Sequence, residues 1–197
     1  MTLDFTLIHE STIHAHESIS NSKTVHPGLL FVENFLSIDL LKKLQVYVRD
    51  ENLTWNSQET SVGLIYPGRR KINWAADSVI EEVHTVLDNL TEYINQLFAR
   101  QNKFLGLSVW KDEYTYQIDP HYDNPVINIS MQIYLNNEDM DLGTSFNING
   151  GVVKAPYREN YGYLMDNTQN ILHFYNGKPP VGHHRYSLHA VWADANK

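Results

Sequence analysis

The sequence predicts an α+β fold, mainly β, and three observations predict it. The 197 residues suffice for one sizeable domain and are short for two. Hydrophobic residues make up 42% and charged residues 19%, the balance of a globular chain with a buried core. Past Lys103 the texture changes, from stripes of helical period to short β-branched or aromatic runs separated by turn residues. Two helices followed by many short strands argue for a sandwich or barrel with helical support.

Each element has its own signal. Residues 1–27 are polar and carry His9, His14, His16 and His26 at irregular spacing, which reads as an N-terminal extension or an added edge strand. "GLLFVENFLS" (28–37) reads as a buried strand running into a helix start, with Ser37 as N-cap and Leu40, Leu41, Leu44 and Val48 at helical spacing behind it. Residues 53–77 are irregular, with a turn signal at Pro67-Gly68 and a basic run, Arg69, Arg70 and Lys71, that reads as a solvated turn. A second helix is expected from near Asp77, striped by Val79, Val83, Val86, Leu87, Leu90, Ile94, Leu97 and Phe98. Then come the strand-like segments "LGLSVWKDEYTYQID", "VINISMQIYLN", "TSFNINGGVVKAP", "YGYLMDNTQNILHFY" and "RYSLHAVWAD". The expected division is an extension over 1–27 and one domain over 28–197, with helical support at 37–100 and a β core at 104–194.

Composition excludes several classes of function. A net charge of -8 argues against a phosphate-tracking, nucleic-acid-binding surface. With no cysteine there is no disulfide, thiolate-zinc site, iron–sulfur cluster or Cys nucleophile. The N-terminus lacks the basic start and apolar run of a signal peptide, and no stretch approaches the ~20 apolar residues of a membrane span. The expectation is a soluble cytoplasmic protein with no membrane partner.

The chemistry gathers in the β-rich half. In "DPHYDNPVINISMQIYLNN" (119–137), His121 and Asp123 are two apart and share one face of an extended chain. Alone, the pair suits either a metal site or a polar loop. His173 follows His121 by 52 residues. Two His and one carboxylate on one face of a metal leave three positions open, the facial triad of non-haem Fe(II) oxygenases. His183 and His184 compete as the distal ligand, but they adjoin Arg185 too closely to sit across the metal from it. Arg185, 12 residues after His173, opens an apolar alternating strand. A buried Arg there needs a partner, and a carboxylate held by its fork is the natural one. Ser187 and His189 share its face.

This ordered set, HxD, then "IYLN", a distal His and "RYSLHAVW", resembles the Fe(II)/2-oxoglutarate-dependent dioxygenases, the prolyl 4-hydroxylase-like branch above all, over residues 28–197. The resemblance implies a double-stranded β-helix, a cupin-like jelly roll, with helices on the outside of one sheet. It implies His121, Asp123 and His173 as metal ligands and catalytic residues. Arg185 would bind the distal carboxylate of 2-oxoglutarate, with Tyr134 and Ser187 adding hydrogen bonds. The implied cofactors are Fe(II) and 2-oxoglutarate, with ascorbate as an accessory reductant. The implied reaction hydroxylates a C–H bond with dioxygen and turns 2-oxoglutarate into succinate and carbon dioxide. Related halogenases lack a carboxylate at the position of Asp123, so its presence favours hydroxylation. The substrate would be a prolyl or other peptidyl residue, or else a free amino acid or small metabolite.

Three departures from the branch stand out. Trp110 lies where a pocket tyrosine is usual. The gap from His173 to Arg185 is longer than usual, which implies a Gly-Lys-Pro-Pro turn. "GTSFNI" (143–148) replaces a Gly-Gly-Glu/Thr-Leu motif and bears on substrate-side shape. His189, Asn128, Trp110 and Met131 are expected near the substrate or behind the metal ligands. Residues 53–77, with Tyr66, Arg69, Arg70 and Trp74, are read as a cover for the site mouth. A cupin-like metal isomerase would not need Arg185 with Ser187, and an intact triad and clamp argue against a binding domain that keeps the barrel after losing the oxidase function.

Overall fold

Each strand of the larger sheet presents two chemically different faces, and that alternation sets the layers. The computed structural model describes residues 3–59, 65–73, 78–136 and 140–196. In chain order the elements are α1 (Phe5–Ser20), β1 (Lys23–His26), β2 (Leu29–Glu33), α2 (Ile38–Val48), β3 (Asn56–Glu59), β4 (Ile65–Asn73), α3 (Val79–Asn89) and α4 (Thr91–Phe98). There follow β5 (Asn102–Asp112), β6 (Ile118–His121), β7 (Ile127–Tyr134), β8 (Ser145–Ile148), β9 (Gly151–Lys154), β10 (Tyr161–Asp166), β11 (Leu172–Tyr175) and β12 (Arg185–Asp194). The larger sheet runs β1-β2-β10-β7-β12-β5-β4-β3, and the smaller runs β6-β11-β8-β9. The paired strands are antiparallel in both. This is the mainly β, two-sheet architecture the sequence predicts.

Ile129, Met131 and Ile133 of β7, Leu188, Ala190 and Trp192 of β12, and Leu107 and Val109 of β5 point to the helices and join their apolar stripes in one core. The intervening residues point to the smaller sheet, where Phe31, Tyr134, Phe146, Tyr163 and Tyr175 belong to a second core. The helices cover the outer face of the larger sheet and leave its inner face for chemistry.

Local signals fix the helices. Ser37 caps α2 by accepting from the Leu40 N–H at 3.4 Å, and Ser78 caps α3 by accepting from the Ile80 N–H at 3.2 Å. The predicted stripes of α2 and α3 are buried, through Leu40, Leu41, Leu44, Val48, Val79, Val83, Val86 and Leu87. The second stripe divides at Leu90 into α3 and α4, and Leu97 at its end is exposed. Lys43 clamps the buried Glu82 carboxylate at 3.0 and 3.2 Å, tying α2 to α3. Trp192 Nε1 donates to Thr91 Oγ1 at 3.0 Å and ties β12 to α4.

Two expectations need correction. Within 1–27 only residues 23–26 form an edge strand, whereas residues 5–20 form α1, which buries Ile8, Ser11, Ala15 and Ile19. Ser11 and Ala15 let α1 pack closely, but they thin the apolar stripe that marks a helix in sequence. Ser11 Oγ meets Ser37 Oγ at 2.7 Å, so α1 is anchored on the cap of α2. Residues 53–77 are not wholly irregular: β3 and β4 form a hairpin at the edge of the larger sheet. Asp77 and Trp74 lie outside the described residues. Gly68, at φ 74°, interrupts β4 where a side chain would strike Thr115 Oγ1 at 2.2 Å and the Tyr116 N at 2.7 Å. That close approach lays the next residue, Arg69, against the turn that carries Tyr116.

Candidate active site

His121 and His173 are direct cross-strand partners between β6 and β11, so their side chains leave the smaller sheet together. Their ring centroids are 4.4 Å apart. Asp123 follows β6 by two residues, and its Oδ1 lies 3.5 Å from His173 Nε2. The three offer ligand atoms within 4.8 Å of one another, a group able to hold a metal ion. The ring orientations suit that role. His121 Nδ1 meets the Asp119 carbonyl at 2.8 Å, and His173 Nδ1 meets the Ile171 carbonyl at 3.3 Å. A carbonyl can only accept, so each Nδ1 carries the proton and each Nε2 is left with its lone pair.

Electrostatics point the same way. Burial lowers the pKa of His121, and the neighbouring His173 lowers it further, which keeps the imidazole neutral. Burial alone would raise the pKa of Asp123, but while no metal occupies the Nε2 lone pair a proton there makes His173 a cationic donor to Asp123, which outweighs burial and holds the carboxyl below the usual range. His183 and His184 take no part in the metal-binding group among the described residues.

Arg185 enters from the opposite sheet. It is 1% exposed, and its guanidinium lies 4.4 Å from the Tyr175 ring centroid and 5.0 Å from that of Tyr134. Its Nη1 donates to Asp112 Oδ2 at 2.5 Å, and its Nη2 to Thr144 Oγ1 at 3.2 Å. Asp112 is itself held by Arg69, whose Nε and Nη2 donate to its two oxygens at 2.6 and 2.8 Å. Arg69, Asp112 and Arg185 are a cross-strand row over β4, β5 and β12. Burial opposes both guanidinium charges, but Asp112 more than compensates and raises both pKa values. Arg69 is also sandwiched, 3.8 Å from the ring centroids of both Trp110 and Tyr116.

The metal-binding group and Arg185 line one cavity of about 310 Å³. Three buried donors in its lining, Arg185 Nε, Trp110 Nε1 and Tyr175 Oη, have no hydrogen-bond partner among the described residues. Buried donors are rarely left so, and each costs about 1–3 kcal/mol unless a ligand or water completes it. Burial raises the pKa of Tyr175 above the usual phenol range, so its hydroxyl stays a donor. A chelating metal group facing a cationic end with open donors matches a ligand that carries a carboxylate.

Of the expected residues, His121, Asp123, His173, Arg185, His189 and Trp110 line the cavity. His189 stacks on Trp110 at 4.1 Å, and burial pushes its pKa down to about 4. Tyr134 and Ser187 do not line it. Tyr134 Oη accepts from the Thr144 N–H at 2.8 Å and donates to Thr144 Oγ1 at 3.2 Å, while Ser187 Oγ accepts from Gln132 Nε2 at 2.9 Å. Both brace residues that face the ligand space. Asn128 is turned to Asn102 Oδ1 at 2.8 Å, and Met131 lies on the helix-facing side of β7, so neither reaches the cavity. "GTSFNI" reaches the Arg185 end of the cavity through Thr144. Tyr66 lines the cavity as part of the expected cover, but Arg69 is buried within the site, which corrects its reading as a solvated turn.

No protein-family model and no curated protein matches the sequence. Solved structures do. A Pseudomonas putida prolyl-4-hydroxylase is 15% identical, with a TM-score of 0.70 over 93% of this chain and 98% of that one. A prolyl hydroxylase from Trichoplax adhaerens, in complex with a hypoxia-inducible-factor peptide fragment, is 13% identical, with a TM-score of 0.65 over 100% of this chain and 96% of that one. HygX from Streptomyces hygroscopicus, with nickel, 2-oxoglutarate and hygromycin B bound, is 10% identical, with a TM-score of 0.63 over 85% of this chain and 83% of that one. The chain has the 2-oxoglutarate–Fe(II) oxygenase fold.

Within this oxygenase fold, sequence reading missed Asp112, Thr144, Gln132 and Tyr175, and it set Arg69 in a cover over the mouth, whereas Arg69 lies buried against Asp112. Asp112 carried a usable signal. It sits two residues beyond Trp110 on β5 and so shares its face, where a carboxylate needs a cation. The pairing of Arg69 with Asp112 carried none, because Pro67-Gly68 hid the strand.

Proposed function

We propose that the chain is an Fe(II)- and 2-oxoglutarate-dependent oxygenase that hydroxylates a substrate C–H bond. The observation that supports this best is the single cavity with the His121, Asp123 and His173 group on one sheet and a buried Arg185 with unpartnered donors on the other. His121, Asp123 and His173 would hold iron, and Arg185 would take the distal carboxylate of 2-oxoglutarate. When bound, these groups supply dioxygen activation coupled to decarboxylation of 2-oxoglutarate. The chain's own residues supply position. The Asp119 and Ile171 carbonyls aim the two imidazoles. Thr144 and Asp112 orient Arg185, and Trp110, Tyr116, Tyr163 and Tyr175 wall its end of the cavity against water. Neutral His189 adds no charge beside Asp123.

The proposed substrate is a peptidyl residue, by analogy with the peptide-bound Trichoplax structure. An open edge supports it, since Tyr122 lines the cavity mouth yet is 58% exposed. The test is anaerobic titration of metal-free protein with Fe(II) and then 2-oxoglutarate, following the weak visible charge-transfer band. The wild type should show the band, His173→Ala should lose it, and Arg185→Ala should need far more 2-oxoglutarate. A folded, iron-loaded wild type with no band would refute the oxygenase reading. Succinate release with prolyl peptides, set against free amino acids, then decides the substrate class.

A further inference from the structure

A buried carboxylate beside the residue meant to bind a carboxylate is a chemical conflict. Asp112 is 0% exposed, and its Oδ2 already accepts from Arg185 at 2.5 Å. Left alone with Arg185, it would neutralise that guanidinium and compete with any incoming anion. Arg69 prevents this by geometry. It holds both Asp112 oxygens side-on, whereas Arg185 reaches only one and keeps its Nε without a partner. Two guanidiniums on one carboxylate leave a net charge of +1, which a single carboxylate ligand balances. The Trp110–Tyr116 sandwich keeps Arg69 in place, so the balance is built in.

We propose that Asp112 is an internal competitor for Arg185, and that Arg69 is the counter-cation that keeps it occupied, so that this pair sets the affinity of the cavity for a carboxylate. The inference rests on the 2-oxoglutarate reading above and assigns Arg69 and Asp112 as positioning residues. Arg69 acts without needing to touch the ligand. Its loss drops the net charge of the cluster to zero and lets Asp112 turn fully to Arg185. Losing Asp112 as well restores +1 on Arg185 alone.

Calorimetric titration of Mn(II)-loaded protein with 2-oxoglutarate tests this without turnover, and thermal melts confirm folding. Arg69→Met keeps an apolar stem between the two rings. It should bind 2-oxoglutarate at least about tenfold more weakly, as expected when a charge-assisted contact is neutralised. The double variant Arg69→Met/Asp112→Asn should return to within about threefold of wild type, the coupling expected of residues in contact. A single variant that binds like wild type overturns the proposal. So does a folded double variant as weak as the single one, which would mean that Arg69 itself grips the ligand. Should Arg69→Met fail to fold, Asp112→Asn alone decides: it must bind at least as tightly as wild type, and weaker binding overturns the proposal. If the wild type binds no 2-oxoglutarate, the functional reading fails and takes this inference with it.

Discussion

Thr144 shows how much one side chain carries here. Its Oγ1 donates to Gln132 Oε1 at 3.0 Å and accepts from Arg185 Nη2 and Tyr134 Oη, each at 3.2 Å. It is placed by Gly143, where a Cβ would meet the Ala155 carbonyl oxygen at 1.7 Å. Thr144→Val keeps the shape and removes the hydroxyl. It should cost about 1–3 kcal/mol of stability, read by chemical denaturation, because buried donors and acceptors lose a partner. It should also weaken 2-oxoglutarate binding, read by the same titration. His189 makes a pH prediction. Its folded pKa of about 4 lies below the ordinary histidine value of 6.5, so between these values the unfolded chain binds more protons. Stability therefore rises with pH across that window and is lost as pH falls through it. His121, also lowered, adds the same sign. Melting temperatures of metal-free protein should fall from pH 6.5 to 4, and His189→Phe should flatten the slope. An unchanged slope would show that His189 does not carry the effect.

At the scale of elements, α1 and β4 matter most. α1 closes the helical layer by burying Ile8, Ala15 and Ile19, and His14 and Ser18 each contact the Asn34 carbonyl at 2.7 Å. Deleting residues 1–20 uncovers part of the core, so the truncated protein should unfold at markedly lower denaturant than the full chain. Leu44→Ala on the buried stripe of α2 should cost about 2–5 kcal/mol by transfer and cavity terms, measured the same way, without changing the donor set of the site. β4 belongs to the edge hairpin and delivers a residue to the cavity lining. Its Arg69 reaches the site only because Gly68 admits the 113–116 turn.

For the whole molecule, two cores on either side of one sheet separate stability from chemistry. The helix-side core is apolar and continuous, and the intersheet core is rich in Tyr and opens into the cavity. The fold should therefore persist without metal. Mn(II) at a hundredfold excess over its dissociation constant should still add about 2.7 kcal/mol, seen as a higher melting temperature that a chelator reverses. No helix is long and apolar enough to cross a membrane among the described residues.

What the sequence determined by itself was local chemistry and its faces. The i, i+2 spacing put His121 and Asp123 together, alternation in "RYSLHAVW" aimed Arg185, Ser187 and His189 one way, and the leucine stripe of α2 declared its buried side. Periods of 2 and 3.6 act over a few residues, so one reads them directly. The tertiary structure decided which strands became neighbours and in which register. Those pairings set His121 opposite His173, joined Arg69 to Asp112 across 43 positions, and turned Tyr134 toward Thr144 and away from the cavity. The α1 helix belongs with these, because its thin stripe of Ile8, Ser11, Ala15 and Ile19 becomes a core face only where β2 and α3 stand ready to cover it. Register is the sum of many weak contacts between distant segments, and no single segment contains it.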